Sequence, residues 1–236
     1  MTFLGEVTAW FGDPANWTGR NSIPLHAWEH VSLSAASLAV ALAIALPVGL
    51  FIGHTNRGAR LAVAIANVGR AVPSIGWLGI ALPITLAVLQ RRGLGFLPAF
   101  VALVALGIPP IVTNTYTGLR EVDAEMLEAG RGMGMRELQL LRRVEVPVAL
   151  PVIMAGIRSS AVTIVATATL AALVGGGTLG DFILQGLYVN DQPRIFGAAV
   201  LVALLALGTE LAFGFLQRRS ISPGLRPEPV SSGPAT

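Results

Sequence analysis

Long apolar runs constrain this chain more than any other feature of its sequence. They cover about residues 30–53, 61–90, 96–119, 148–174 and 195–216. About 20 residues at 1.5 Å per residue cross the hydrocarbon core of a membrane, so each run is long enough to span it as a helix. Only 12% of the 236 residues are charged, against about 25% in soluble domains. The sequence therefore predicts an all-α polytopic membrane protein with about five transmembrane helices.

The second run is too long for one straight crossing and contains Pro73 and Pro83. Proline removes a backbone donor and bends a helix, so we expect a kinked or tilted span here. Two short helices that each cross the membrane, giving six spans, are the competing count.

The arginines predict the orientation of the spans. All 16 basic residues are Arg, and ten of them fall on one side if the polar loop, residues 120–147, is placed inside. Four fall on the other side, and cytoplasmic loops carry the excess of positive charge. We therefore expect N-out/C-in topology, with an extracytoplasmic segment 1–27, a membrane domain 28–217 and a disordered cytoplasmic tail 218–236. The arginines in the cytoplasmic loops explain the positive net charge of the chain, so this charge indicates no nucleic-acid partner.

The polar loop is rich in arginine and glycine between two apolar runs. Glycines at 130, 132 and 134 predict two short helices meeting at an elbow, the second with Leu138 and Leu141 on one face. Pro147 and Pro151 suit the opening of the fourth span, where a missing N–H costs little. The alternative is an ordinary solvated connection between two spans.

The spacing within the polar loop resembles the EAA signature of ABC importer permeases. Glu128-Ala129-Gly130 is followed after three residues by Gly134, and after nine more by Val144-Glu145-Val146-Pro147. The signature has Ala where this chain has Gly130, which could loosen the first helix. The resemblance implies the transmembrane domain of a type I ABC importer. It also implies that Glu128, Ala129, Gly130, Gly134 and Pro147 couple the chain to a cytoplasmic ATPase.

Further strings resemble the osmoprotectant branch of these permeases, over roughly residues 28–217. They are residues 70–75, 114–118, 130–135, 150–158, 169–175 and 180–181. This resemblance implies uptake of glycine betaine, carnitine, choline or proline-type compounds. It also implies an extracytoplasmic substrate-binding protein, a second permease subunit and a bacterial plasma-membrane location.

The chain has no lysine and so cannot contain a phosphate loop of the Gly-Lys-Ser/Thr type. We therefore expect no enzyme activity and no cofactor in this chain, with ATP and Mg²⁺ bound by a partner ATPase. Glu210 is the one acidic residue well inside a predicted span. Proton- or sodium-driven carriers usually need such carboxylates, so a secondary carrier is a weaker alternative.

Polar and aromatic residues within the spans are candidates for the translocation pathway. They are Pro73, Ser74, Trp77, Asn114 and Tyr116, and the two aromatic rings could face a quaternary amine. Packing within the helix bundle is the competing role for each. Arg70, Arg158 and Glu210 are expected to be structural intramembrane charges, with an arginine pairing with Glu210 or a carbonyl.

His26, Glu29 and His30 form a His-x-x-Glu-His pattern found in some zinc proteases. On a helix the two histidines would share a face, with Glu29 as the base. No third ligand is evident, since His54 would lie across the membrane. A membrane-embedded zinc peptidase is therefore kept only as an alternative, and no metal site is predicted.

Overall fold

The computed structural model describes residues 2–89 and 95–220, and these residues form helices and short connections without strands. The all-α prediction is confirmed. The α-helices are α1 (Phe3–Gly12), α2 (Ile23–Thr55), α3 (Ala59–Ala71), α4 (Ser74–Leu89), α5 (Phe96–Arg120), α6 (Ala124–Gly132), α7 (Glu137–Leu140), α8 (Val146–Thr167), α9 (Gly180–Val189) and α10 (Gln192–Ser220). A π-helical turn, Leu141–Glu145, precedes α8, and a 3-10 segment, Ala168–Val174, follows it.

Four continuous helical stretches in the described chain are long and apolar enough to cross a membrane. They are Ile23–Thr55, Phe96–Arg120, Glu137–Val174 and Gln192–Ser220. Helices α3 and α4 make a fifth span if they count as one, although they are bent by 101°. With 13 and 16 residues, or about 20 and 24 Å, neither is long enough to cross alone, so the six-span count is not supported.

The bend between α3 and α4 lies at Pro73, as its sequence predicts. Val72 has the extended backbone that a residue before proline prefers, which ends α3. The carbonyl of Pro73 then accepts the N–H groups of Gly76 and Trp77 at 2.7 and 3.3 Å, which starts α4. Pro83 lies inside α4 and does not end it.

Two spans begin earlier than their apolar runs. Helix α2 starts at Ile23, with Pro24 in its first turn, so the boundary expected between residues 27 and 28 falls inside a helix. The fourth span begins at Glu137 instead of 148, because the end of the polar loop is helical. Hydropathy missed both starts because polar residues, such as His26 and Glu137, lie in the first turns of these helices.

Helices α2, α5 and α8 pack together at the centre of the bundle. Small residues lie at their crossings, as in other membrane helix pairs. A β-carbon on Gly107 would lie 2.7 Å from Ile164, and one on Gly156 would lie 2.6 Å from Asn114. The backbones of α5 and α8 are therefore too close for larger side chains.

The bundle has two ends. The loop end carries Thr55, Arg120 and the polar loop, and Gly53 packs against Leu119 there. The far end carries the connections before α2 and after α8, where buried Phe182 of α9 packs among Trp10, Ile23 and Ala198. The ends of α2, α5 and α8 position the polar loop.

Candidate functional site

Helix α6 forms the first half of the polar loop and has defined ends. Asp123 caps its start, since a side-chain oxygen accepts the N–H of Glu125 at 2.8 Å. The helix runs through Gly130 and ends after Gly132, and Gly134 has a φ of +82°, a left-handed conformation that favours glycine. The expected break at Gly130 is therefore wrong, and the elbow lies between Gly132 and Glu137.

Gly130 gives Leu140 its place in the packing of the polar loop. A β-carbon on Gly130 would lie 2.6 Å from Cδ1 of Leu140, which is fully buried. The face predicted for the second helix is wrong for Leu138, which is 56% exposed. The missing side chain at position 130 therefore allows α6 and α7 to meet closely and does not loosen α6.

The second half of the polar loop is not a separate helix. Helix α7 continues through the π-helical turn into α8, and the N–H of Val146 bonds to the carbonyl of Leu141, five residues back. Pro147 follows this turn and cannot donate to the carbonyl of Arg143. Pro147 is the second residue of α8, as expected for a proline that opens a helix, and the wider turn joins α8 to α7 in one continuous stretch that begins at Glu137.

The outer face of α6 is exposed at the loop end. Glu128 and Ala129 are exposed, and Met126 and Met133 expose 47% and 72% of their surface. Arg131 reaches across the elbow to Glu137, with Nε 3.1 Å from Oε1, and this carboxylate raises the pKa of Arg131. Helix α6 is therefore short and fixed in position by this ion pair. It can present a carboxylate and apolar side chains to a partner.

His54 connects the polar loop to the last turn of α2. Its Nδ1–H donates to Glu145 Oε2 at 2.7 Å, and its Nε2 lies 3.5 Å from Glu137 Oε2. The Glu145 side chain is only 4% exposed. Sequence reasoning missed this cluster, because no local pattern predicts a contact between residues 91 positions apart.

The pathway candidates lie in separate surroundings within the single chain. Trp77 Nε1–H donates to the Gly69 carbonyl at 3.1 Å, and its ring lines an apolar cavity between α3 and α5. Tyr116 lines an open cavity of about 870 Å³ at the loop end, together with Asn56, Arg60 and Asn67.

The side chains of Asn114 and Ser74 lie in two further, separate environments. Asn114 Nδ2–H donates to the Pro110 carbonyl at 2.8 Å within α5, where its side chain also faces Gly156. Ser74 is exposed at the start of α4, next to Pro73 in the bend. This chain by itself does not bring the five pathway candidates into one cavity.

Two of the three intramembrane charges form a pair. Arg158 of α8 binds Glu210 of α10, and Gln217 joins α10 to the Pro151 carbonyl of α8 at 3.0 Å. Arg70 is exposed at the end of α3 and has no ion-pair partner among residues 2–89 and 95–220. Arg158 and Glu210 thus hold α8 and α10 together.

The three residues of the zinc-peptidase alternative take part in packing at the far end. His30 is fully buried, and its Nε2–H donates to the Val165 carbonyl at 2.8 Å. His26 Nε2 lies 2.9 Å from Asn21 Oδ1, and its Nδ1 lies 3.4 Å from Glu29 Oε2. The described residues contain no group of three or more side chains that could hold a metal ion.

Comparison with known families decides the class of protein. Residues 45–222 match the family described as "binding-protein-dependent transport system inner membrane component". The chain is a member of this family of ABC importer permeases.

Relatives of this permease share most of its length. It is 38% identical over 206 residues to the carnitine transport permease protein of Listeria monocytogenes, covering 87% of this chain and 91% of the relative. It is 36% identical over 199 residues to a choline transport system permease protein of Bacillus subtilis, covering 84% and 88%. An inward-facing structure of the MetNI methionine ABC transporter has a TM-score of 0.75 and 26% identity, covering 83% of this chain and 94% of that one.

Membership of this family confirms several expectations about the permease. It is a multi-pass protein of the plasma membrane with the fold of type I ABC importer permeases, and it is a transport subunit, not an enzyme. Such permeases function with ATPase and binding-protein partners and a second permease subunit. The zinc-peptidase and secondary-carrier alternatives find no support.

Proposed function

We propose that this permease forms half of the pathway of an ATP-driven osmoprotectant importer. Its substrates are glycine betaine, carnitine, choline or proline-type compounds. The proposal is supported by the named substrates of the relatives, which include carnitine, choline and glycine betaine.

The polar loop is the docking element for a cytoplasmic ATPase, with Glu128, Ala129, Gly130, Gly134 and Pro147 as the coupling positions. The observation that carries this assignment is the close contact of Gly130 with Leu140, which holds α6 against the start of the fourth span. Glu128 and Ala129 are then exposed on a helix whose position is fixed relative to the membrane.

The loop end faces the cytoplasm, and the far end faces outward. The sequence assigns ten arginines to the side of the polar loop and four to the opposite side, which fits the excess of positive charge inside. ATP and Mg²⁺ are bound by the ATPase, and a binding protein delivers substrate to the far end. Residues 1–22 lie outside, and the membrane domain begins with α2 at Ile23. Residues 218–220 still belong to α10, so the cytoplasmic tail expected from residue 218 begins only after Ser220, and residues 221–236 lie outside the described part of the chain.

A second permease subunit, identical or related, completes the pathway. ATP-driven closure of a pair of ATPases moves the polar loops and turns the central cavity outward, and hydrolysis resets it. The contacts of the pathway candidates Pro73, Ser74, Trp77, Asn114 and Tyr116 with substrate form only in this assembly. Trp77 and Tyr116 offer aromatic faces that attract quaternary amines.

Transport by the reconstituted complex tests this function. The permease, its ATPase and its binding protein are placed in liposomes, and uptake of radiolabelled glycine betaine, carnitine, choline and proline is measured. We expect uptake of at least one compound that requires both ATP and the binding protein. Uptake by the permease alone, or uptake of none of these compounds with an active ATPase, would contradict the proposal.

A further inference from the structure

His54 lies between two carboxylates that come from different parts of the polar loop. Glu145 belongs to the π-helical turn and is 2.7 Å from Nδ1, whereas Glu137 opens α7 and is 3.5 Å from Nε2. A carboxylate can only accept a hydrogen bond, and a neutral imidazole has one N–H. Both contacts are therefore favourable together only when the His54 ring carries both protons.

The contacts of His54 continue into the docking helix. Glu137 also binds Arg131 of α6, with Oε1 3.1 Å from Nε and Oε2 3.4 Å from Nη2. A chain of charged contacts thus runs from α6 through Glu137 to α2. Within residues 2–89 and 95–220, every ion pair between the polar loop and α2 includes His54.

Loss of the contact between His54 and Glu145 would destabilise the protein. The Glu145 side chain is 4% exposed, and burial of an unpaired carboxylate is strongly unfavourable. It lies in a π-helical turn, a geometry that frequently occurs at functional sites. Helix α2 packs along α5, so a displacement of its last turn reaches the centre of the bundle.

We propose that His54 is a positioning residue that transmits movement of the polar loop to α2 through its contacts with Glu137 and Glu145. This inference rests on the proposed function, since it assumes that an ATPase moves α6. Glu137 from α7, Glu145 from the π-helical turn and Arg131 from α6 through Glu137 are the charged groups around it. His54 does not touch substrate or nucleotide.

The transport test compares wild type with His54→Gln, which keeps one donor for Glu145 but cannot bridge two carboxylates. Glu145→Gln is the second variant, and Glu6→Gln on exposed α1 at the far end is the control. We expect ATPase association within about twofold of wild type for each, but uptake per ATP hydrolysed lower by about fivefold or more in His54→Gln and Glu145→Gln, a usual size for coupling between sites.

The ratio of uptake to ATP hydrolysed separates this role from a merely structural one, because association with the ATPase is measured on the same variants. A wild-type ratio in His54→Gln, or complete loss of ATPase association, would overturn the role of His54.

Digestion with trypsin tests the link between His54 and the polar loop without measuring transport, so it applies even if the proposed function fails. Trypsin cleaves after arginine, and Arg131 and Arg136 are exposed in the polar loop. In the purified full chain, trypsin should cut these sites at least about fivefold faster in His54→Gln than in Glu6→Gln. This factor is the lower end of the usual range for coupling between two sites. Equal rates would overturn the link, whereas absent uptake in wild type would overturn the importer function alone.

Discussion

Leu140 fills the space that Gly130 leaves free, since a β-carbon on Gly130 would lie 2.6 Å from Leu140 Cδ1. Gly132 is on the same helix and has no neighbour within 4 Å of such a carbon. We expect Gly130→Ala to lower the free energy of unfolding by about 1–3 kcal/mol relative to Gly132→Ala, because overpacking of a closed contact is destabilising. Thermal unfolding of the purified permease measures the difference. Equal free energies of unfolding for the two variants would contradict this prediction. They would show that Leu140 moves aside without destabilising the protein.

The Arg158–Glu210 pair joins α8 to α10 within the membrane. Arg158→Leu or Glu210→Leu alone leaves an uncompensated charge there, which is unfavourable in a low-dielectric environment. We expect each single variant to unfold at a lower temperature than the double variant in lipid nanodiscs. A double variant less stable than both single variants would contradict a pairwise role.

Gly180 allows the backbone of α9 to approach the 3-10 segment after α8. A β-carbon there would overlap the Thr169 carbonyl oxygen, and a backbone atom cannot move aside as a flexible side chain can. Gly180→Ala should destabilise the far end by more than about 3 kcal/mol, beyond the usual cost of overpacking. Gly208→Ala is the control, because its β-carbon has no neighbour within 4 Å. The comparison is the yield of folded protein after detergent extraction, which should fall only for Gly180→Ala.

Asp181 makes stability depend on pH at the far end. Burial raises the pKa of its carboxyl, while the nearby His26 and a hydrogen bond with the Thr178 backbone act in the opposite direction. A carboxyl with a raised pKa in the folded state stabilises the protein at low pH, and this contribution is lost as the pH rises through that pKa. Asp181→Asn should therefore be more stable relative to wild type at pH about 7 than at pH about 4. A constant difference between the thermal unfolding temperatures would exclude this effect.

The sequence predicted the parts of the fold that depend on apolar length and proline chemistry. The spans and the bend at Pro73 follow from such local features, whereas the family was predicted from the resemblance of the spacing in the polar loop to the EAA signature. The starts of α2 and of the fourth span were placed too late, because polar residues such as His26 and Glu137 lie in their first turns. Contacts between distant residues, such as His54 with Glu145 or Gly130 with Leu140, have no local signal.

The site of the polar loop was predicted in position but not in shape. Spacing alone indicated Glu128 and Gly134, and the left-handed backbone of Gly134 is typical of glycine at a helix end. Pro147 indicated the start of a helix, and α8 begins beside it at Val146. The π-helical turn that joins α8 to α7 is not predicted by the propensity of single residues.

Association with the ATPase tests the central claim most directly. Glu128→Arg reverses the charge on the exposed face of α6, and Glu6→Arg makes the same change on α1 at the far end. Each tagged variant is co-expressed with the ATPase, extracted in detergent and purified, and the bound ATPase is quantified. We expect equal membrane insertion of both, wild-type ATPase binding by Glu6→Arg and loss of at least about tenfold for Glu128→Arg, the size of a lost charge contact at an interface. Undiminished binding by inserted Glu128→Arg would contradict the docking role of α6.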